Sequence, residues 1–372
     1  GQGFIPNLYR EDGKTILEAA FSVLNTSGKY REDGAYEGTS LGSFGIGSKI
    51  TTFLSHWLTV STYRNDLQEK ITFKEGVFES REVYKKSDYE NGQFPKNGTS
   101  VMWQPSEEFF TNVTVEIEKV KTLFKTISCL CPGLTIILEQ GRDKKDFGVD
   151  WYNKEVFYSE RGLMDLADEA VGHKEIINNR FNMKFADGKE KMDFILTYTS
   201  NYSSTLVPYV NTGLTEKGPH ITQIKTVLTR EFNKFFREKK WLKDKDENLT
   251  GDDIQEGMYI VFNLTAPNVS YDAQVKSTIT KIEMKSFTQA LAENLNIWLN
   301  NNEKEIKVIA DKALSARKAR EAAKKAREAV RENQKKKKEK ALKFDSKLAD
   351  CFSKDRSRCE IYITEGDSAS GN

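Results

Sequence analysis

The chain has 372 residues, 38% of them hydrophobic and 30% charged, with a formal net charge of +2; that length allows two or three domains with sizeable cores. No run of 18 apolar residues and no signal peptide occur, which argues against a membrane-spanning helix and makes a cytoplasmic location the expectation. Four cysteines without a CxxC pair argue against a disulfide scaffold or a zinc ribbon and predict free thiols in a reducing compartment.

The first segment, residues 1–160, reads as an α/β unit. It begins at Gly1 without Met, inside the motif-like GQGFIP, as a fragment lacking its true start would. Thr15 to Leu24 places Ile16, Ala19, Ala20, Val23 and Leu24 on one side of a predicted helix, which Gly28-Lys29-Tyr30 ends with turn chemistry. Gly42, Gly45 and Gly47 then stand just ahead of Ile46, Ile50, Phe53 and Leu54, which recur at helical spacing. Glycines there let the backbone turn sharply and expose consecutive N–H groups, and the helix adds the positive end of its dipole: a cradle for phosphate oxygens. A Gly-rich loop before an ordinary core helix has the same spacing. No Gly-Lys-Ser/Thr triplet of the usual P-loop follows, so the stretch alone does not name its ligand. Downstream, Trp57 to Tyr63 and Ile71 to Val77 read as strands and Gly98 to Trp103 starts another. Glu116 to Ile127 reads as a helix, and Leu134 to Leu138 as a buried strand after the Pro132-Gly133 break.

Residues 161–310 form a predicted second α/β domain. Its strands are Met192 to Thr199, Leu206 to Val210 and Met258 to Leu264; its helices are Ile221 to Glu238 and Ser286 to Asn300. Leu249 to Gly257 is an acidic, turn-rich loop whose Asp252 and Asp253 would suit a cation or simply face solvent. Gln274-Val275-Lys276 sets an amide beside a cation in the loop after Pro267.

Between Asp311 and Lys343, 14 Lys/Arg stand against 5 Asp/Glu, a surplus of 9 that leaves 2 − 9 = −7 on the remainder. Residues 311–343 are Ala-rich without Gly or Pro, which predicts a long solvated helix: either a charged spacer or a basic strut beside a polyanion such as DNA. In residues 344–372, Cys359 to Thr364 alternates like a strand and runs into Glu365-Gly366-Asp367. A carboxylate at the C-terminal end of a strand is where α/β folds place metal ligands and acid/base groups.

In this order the pieces resemble the ATPase-bearing subunit of type IIA DNA topoisomerases, the gyrase B and topoisomerase IV B type, over nearly the whole chain. GQGFIP is similar to the family's Asp-x-Gly-x-Gly-Ile-Pro motif, without the Asp and with one extra residue before Pro6; EAAFSVLNTSGKY is similar to the helix before the ATP lid. GSFGIGSKITTFLS resembles Gly-Leu-His-Gly-Val-Gly, with Ser43 and Phe44 in place of Leu and His. Arg64 and Gly98-Thr99 fall where the family carries a pocket Arg and an adenine-holding Gly-Thr. LTGDDIQEG, Gln274-Val275-Lys276, FDSKLADC and YITEGDSASG resemble four further family motifs, the last opening the TOPRIM domain. Pro219 replaces the Thr of Gly-Thr-His, and Thr39 and Ser40 leave the lid without its usual Lys, as in a phage-like or otherwise distant member.

The resemblance implies a GHKL-type ATPase sandwich, a transducer domain of ribosomal-protein-like α/β fold, the basic helix, and the first strand of a TOPRIM domain. It implies ATP and Mg2+ as cofactors, with Gly1, Gly3, Ile5, Pro6, Arg64, Gly42, Ser43, Phe44, Gly45, Ile46, Gly47, Ser48, Thr99 and Gln274 around the nucleotide. Lys276 would reach the γ-phosphate, Glu365 would be a metal-linked acid/base, and Arg317, Arg320, Lys324 and Lys325 would face DNA. The implied partners are double-stranded DNA, a second copy through the ATPase domain, and an A-type subunit carrying the cleavage tyrosine. The family's water-activating Glu and magnesium-holding Asn would precede Gly1, and the TOPRIM Asp-x-Asp pair would follow Asn372. Two other classes stay open: another GHKL ATPase, of the mismatch-repair or Hsp90-like kind, and a non-hydrolysing protein that keeps the fold.

Overall fold

A computed structural model describes residues 2–24, 26, 45–89, 97–142, 151–243, 245–273, 275–344, 351–353, 355–363 and 365. Two compact units divide the chain, Gly1–Ala313 and Leu314–Asn372.

The first unit opens with α1 (Ile16–Ser22), which starts where the Thr15 hydroxyl oxygen accepts from the Glu18 backbone N–H at 3.2 Å, an N-cap. After α2 (Gly47–Phe53) come β1 (Ser55–Arg64), β2 (Leu67–Lys74), β3 (Val77–Lys85) and β4 (Gly98–Pro105), antiparallel in the order β3-β2-β1-β4. Asn65-Asp66 and Glu75-Gly76 join the hairpins. All four residues have positive φ, the conformation whose twist matches the flanking strands in two-residue loops. The expected strand Ile71 to Val77 is therefore cut at Lys74, and Val77 opens β3: the alternation runs on across a turn that Gly76 permits. Leu17, Phe21, Leu58, Val60, Ile71 and Phe73 form the core beneath α1, with Phe4 packed on it. Each fully buried side chain of this kind contributes roughly 1.5–3 kcal/mol.

Helix α3 (Ile117–Leu130) and the antiparallel ribbon β5 (Ile136–Arg142) with β6 (Trp151–Phe157) follow. The expected buried strand Leu134 to Leu138 starts two residues later, and Leu134 and Ile137 are exposed, because among the described residues β5 pairs with β6 alone.

A five-stranded sheet carries the next part: β7 (Phe181–Asp187), β8 (Glu190–Tyr198), β9 (Thr205–Val210), β10 (Gly213–Leu214) and β11 (Met258–Thr265), in the order β10-β9-β11-β8-β7. Its central strands β8 and β11 are buried nearly throughout, which explains their continuous apolar runs. On one face α4 (Leu163–Val171) sets Leu163, Leu166 and Ala167 against Ile195, Tyr209 and Val261. Cys129 and Leu130 of α3 join that cluster, so packing crosses the division expected near residue 160. Phe232 of α5 (Pro219–Glu238) meets Tyr198 edge-on, and Trp298 lies against Phe181.

The acidic loop at 249–257 instead folds as the short helix α6 (Gly251–Gln255). Asp253 is buried and accepts from the Thr250 N–H at 2.9 Å while Thr250 caps the Asp253 N–H, so its carboxylate serves a capping box. Beyond it, β12 (Ser270–Tyr271) pairs with β13 (Ile279–Lys281), and Trp298 belongs to α7 (Lys285–Asn301). The long helix α8 (Glu303–Phe344) starts before residue 311 because Ile306, Ile309, Ala310 and Ala313 are buried. Lys312 anchors it by donating from Nζ to the Thr199 carbonyl at 2.6 Å and to that of Asn201.

The second unit holds the rest of α8 and residues 351–365. The strand expected at Cys359 to Thr364 is not formed: Ile361, Tyr362 and Ile363 are exposed, and no strand pairs with them among the described residues. Alternation alone does not make a strand without a ladder partner.

Candidate functional site

Gly3 has φ +69°, and a Cβ there would lie 2.5 Å from the Gly98 carbonyl oxygen, 2.9 Å from Thr62 Oγ1 and 3.0 Å from the Tyr63 carbonyl oxygen. Only glycine fits where this segment crosses the β1–β4 pair. The Thr62 hydroxyl donates to the Phe4 carbonyl at 3.1 Å. Pro6 is buried, Ile5 and Thr99 are exposed, and Arg64 is half-buried directly after Tyr63. Thus β1 and β4 gather Gly3, Ile5, Pro6, Arg64 and Thr99; Gly1 lies outside the described residues.

A cluster that the motifs do not reveal holds this segment down. The fully buried Glu69 carboxylate accepts from the Asn7 N–H at 2.6 Å and from Arg81 Nε at 3.0 Å. Arg81 also donates to Asn7 Oδ1 at 2.6 Å and lies over the Tyr9 ring. Its members are far apart in sequence and individually ordinary, so only the β2–β3 register brings them together.

Gly42, Ser43 and Phe44 lie outside the described residues. Gly45, at φ +59°, and Ile46 lead into Gly47 and Ser48, the first two residues of α2. The Ser48 hydroxyl donates to the Ala20 carbonyl at 2.7 Å and fixes α2 on α1. A Cβ at Gly47 would meet nothing within 4 Å among the described residues. Lys49, in the same turn, is 2% exposed and makes no hydrogen bond or ion pair among the described residues; burial pushes its pKa down. Nothing in the sequence singles this lysine out, because it sits in a polar GSK run.

Lys276 sits at φ +62°, costly for an L residue, with its N–H donating to the Ala273 carbonyl at 3.0 Å. Partial burial lowers its pKa. Gln274 is outside the described residues, and nothing ties Lys276 to the glycine loop among the described ones. Instead the Lys276 loop is clamped from behind. Glu216 N–H donates to the Ser277 carbonyl at 2.6 Å and Ile279 N–H to that of Lys217 at 2.9 Å. Gly218, at φ +146°, comes so close to Ile279 and His220 that a Cβ there would lie 2.7 Å from the Ile279 carbonyl oxygen. His220 is fully buried at the start of α5, with Nε2 2.8 Å from Thr215 Oγ1, and burial lowers its pKa to about 4.

Glu365 is exposed, and no group of three His, Cys, Asp or Glu side chains suited to a metal exists among the described residues. On α8, Lys324 and Lys325 are exposed with Arg320, whereas Arg317 is half-buried and pairs with Glu321 at 2.7 Å.

Known proteins are similar to this chain in sequence and in fold. A family model for DNA gyrase B matches residues 156–329. The whole chain aligns with the B subunit of DNA gyrase from Enterococcus faecalis at 31% identity, covering 56% of that protein. It aligns equally fully with the B subunit of DNA topoisomerase 4 from Bacillus subtilis at 30%, covering 55%. The chain thus spans about half the length of the relatives it matches. Among solved structures, the 43K ATPase domain of Thermus thermophilus gyrase B, crystallised with an aminocoumarin, is similar with a TM-score of 0.65 at 25% identity. That likeness covers 88% of this chain and 82% of the other. The ATPase region of Saccharomyces cerevisiae topoisomerase II shares the fold at 16% identity, TM-score 0.56, over 83% and 75% of the two chains.

Proposed function

The chain belongs to the gyrase B and topoisomerase IV B family, and from that premise we propose that it is the ATP-operated part of a type II DNA topoisomerase subunit. The observation that carries this reading is the turn from the left-handed Gly45 into α2, where a Cβ at Gly47 would meet nothing within 4 Å among the described residues and the buried Lys49 follows in the same helix. Burial lowers the pKa of Lys49, and an anion seated near it would offset that desolvation.

Triphosphate fits that cradle. In this reading Gly3, Ile5, Pro6, Arg64 and Thr99 hold the base end, with Gly1 by motif. Backbone N–H groups of Gly45, Ile46, Gly47 and Ser48, with Gly42, Ser43 and Phe44, face the phosphates, and Lys49 supplies charge. Lys276, with Gln274, contacts the γ-phosphate. ATP supplies a phosphoanhydride whose hydrolysis removes the group Lys276 holds, and a charge-assisted contact present in one nucleotide state only is what biases a two-state element. Magnesium would be held with Glu365 as a metal-linked acid/base in this reading; Glu365 has no companion ligands among the described residues, and no step passes through it.

The division that goes with this reading is a GHKL ATPase domain at 1–160, a transducer at 161–310, the basic helix at 311–343 and the start of a TOPRIM domain from 344. The partners are double-stranded DNA, met by Arg317, Arg320, Lys324 and Lys325, a second copy through the ATPase domain, and an A-type subunit carrying the cleavage tyrosine. Calorimetry with a non-hydrolysable ATP analogue tests the core of it. One site is expected in the wild type, none in Gly47→Val, and at least about tenfold weaker binding in Lys49→Met, the loss of one charged contact. An aminocoumarin, which the Thermus domain binds, should compete. Unchanged affinity in both variants overturns the assignment.

A further inference from the structure

All four cysteines are free thiols, but their settings differ: Cys129 is buried, Cys131 half-buried, and Cys351 and Cys359 exposed. The last two are brought together by a small turn. Asp355 accepts from the Ser357 N–H at 3.0 Å and its hydroxyl at 2.7 Å, which caps the 3-10 turn Arg356–Arg358. The Asp355 N–H in turn donates to Ser353 Oγ at 3.2 Å, and the Arg358 and Cys359 N–H groups donate back to the Asp355 and Arg356 carbonyls. The chain thereby reverses, and the Cys359 thiol lies 3.5 Å from the Ser353 carbonyl oxygen and 3.2 Å from that of Asp355. Ser353 is two residues from Cys351, so the turn sets the Cys359 thiol beside the segment that carries Cys351.

We propose that Cys351 and Cys359 form a dithiol that oxidises to an intramolecular disulfide, a redox modification site in the segment that leads to Glu365. An exposed, locally pre-folded pair exchanges readily, because both access and proximity are met without moving a core. The oxidant is a low-molecular-weight disulfide. The Cys351 thiolate attacks one of its sulfurs, forming a mixed disulfide and releasing one small thiolate. Cys359 then loses its proton and attacks the Cys351 sulfur, expelling the second small thiolate. Two protein thiols lose two protons and two electrons, and one small disulfide becomes two small thiols. Cys129, whose pKa burial raises, stays out of the reaction.

The test treats the chain with oxidised glutathione at mildly alkaline pH and reads intact mass and a non-reducing peptide map. The expected product is lighter by about 2 Da, the two lost protons, with a Cys351–Cys359 cross-link and Cys129 unmodified. Cys351→Ser and Cys359→Ser should each stop at one stable glutathione adduct on the remaining thiol. The same bond should form more slowly in urea, where the Asp355 turn is lost. Two stable adducts in the wild type, no reaction, earlier oxidation of Cys131, or an equal rate in urea each overturn the proposal.

Discussion

His220 should make the five-stranded domain acid-sensitive by a calculable amount. The Thr215 hydroxyl has a single proton and lies 3.1 Å from the Pro208 carbonyl, so it donates there and accepts from His220 Nε2–H. That leaves Nδ1 as a buried lone pair with no partner among the described residues. Protonation would place a charge in the core, and the folded pKa of about 4 against 6.5 expresses this. The sign follows directly. Between these values the unfolded chain binds the proton and the folded chain does not, so stability falls as pH drops from about 6.5 and levels off below about 4. The full effect is about 3 kcal/mol and the part expressed at pH 5 about 2 kcal/mol, from 1.36 kcal/mol per pKa unit. His220→Gln keeps an N–H donor for Thr215 and removes the titration. Urea unfolding followed by tryptophan fluorescence, with Trp298 and Trp241 as reporters, should show wild type losing about 2 kcal/mol more than the variant between pH 7 and pH 5. Parallel curves for the two proteins would refute the reasoning.

Three further outcomes are expected. Arg81→Met leaves the Glu69 carboxylate buried with only the Asn7 N–H, and should destabilise the N-terminal sheet by about 3 kcal/mol in urea titrations. Lys276→Ala should cut ATP-analogue affinity by about 10- to 100-fold, one charge-assisted contact, with ADP affinity unchanged; equal losses would make the lysine an ordinary surface charge. Neutralising Arg317, Arg320, Lys324 and Lys325 should flatten the dependence of log DNA affinity on log salt by roughly 0.9 for each phosphate no longer neutralised; parallel lines would leave α8 as a spacer.

The elements legible in the sequence are those whose burial is written as periodicity. The Met192, Leu206 and Met258 strands and the Ile221 and Ser286 helices lie where their apolar patterns place them, because each has a partner layer in the same sheet. Strand β3 leaves little trace in the sequence, since an edge strand such as Val77–Lys85, exposed along most of its length, carries little apolar alternation, whereas β7 does alternate through Phe181, Met183 and Phe185 and is simply not among the predicted strands. Cys359 to Thr364 shows the reverse error, a pattern without a partner. At the site, the glycines are readable because Gly3 and Gly45 answer local backbone demands. Glu69, Arg81 and Lys49 are not, because a buried charge looks like any surface charge until its surroundings are known.

The clamp behind Lys276 bears on how a nucleotide signal would leave the site. The loop gives Lys276 a left-handed backbone, and directly after it the segment 215–218 holds residues 277–279 by backbone hydrogen bonds. That segment runs through Gly218 straight into α5, and His220 fastens the first turn of α5 back to Thr215. A pull on the Lys276 ammonium is therefore delivered to the start of a 20-residue helix whose Phe232 packs on the central strand β8 through Tyr198. Packed cores of this kind shift as units rather than deform continuously. If Lys276 reads the γ-phosphate, the element that moves is α5 with its sheet, and the Thr215–His220 bond is where the movement can be uncoupled. Thr215→Val, which removes the hydroxyl and keeps the shape, should then leave ATP-analogue affinity nearly intact while lowering any response of hydrolysis to DNA.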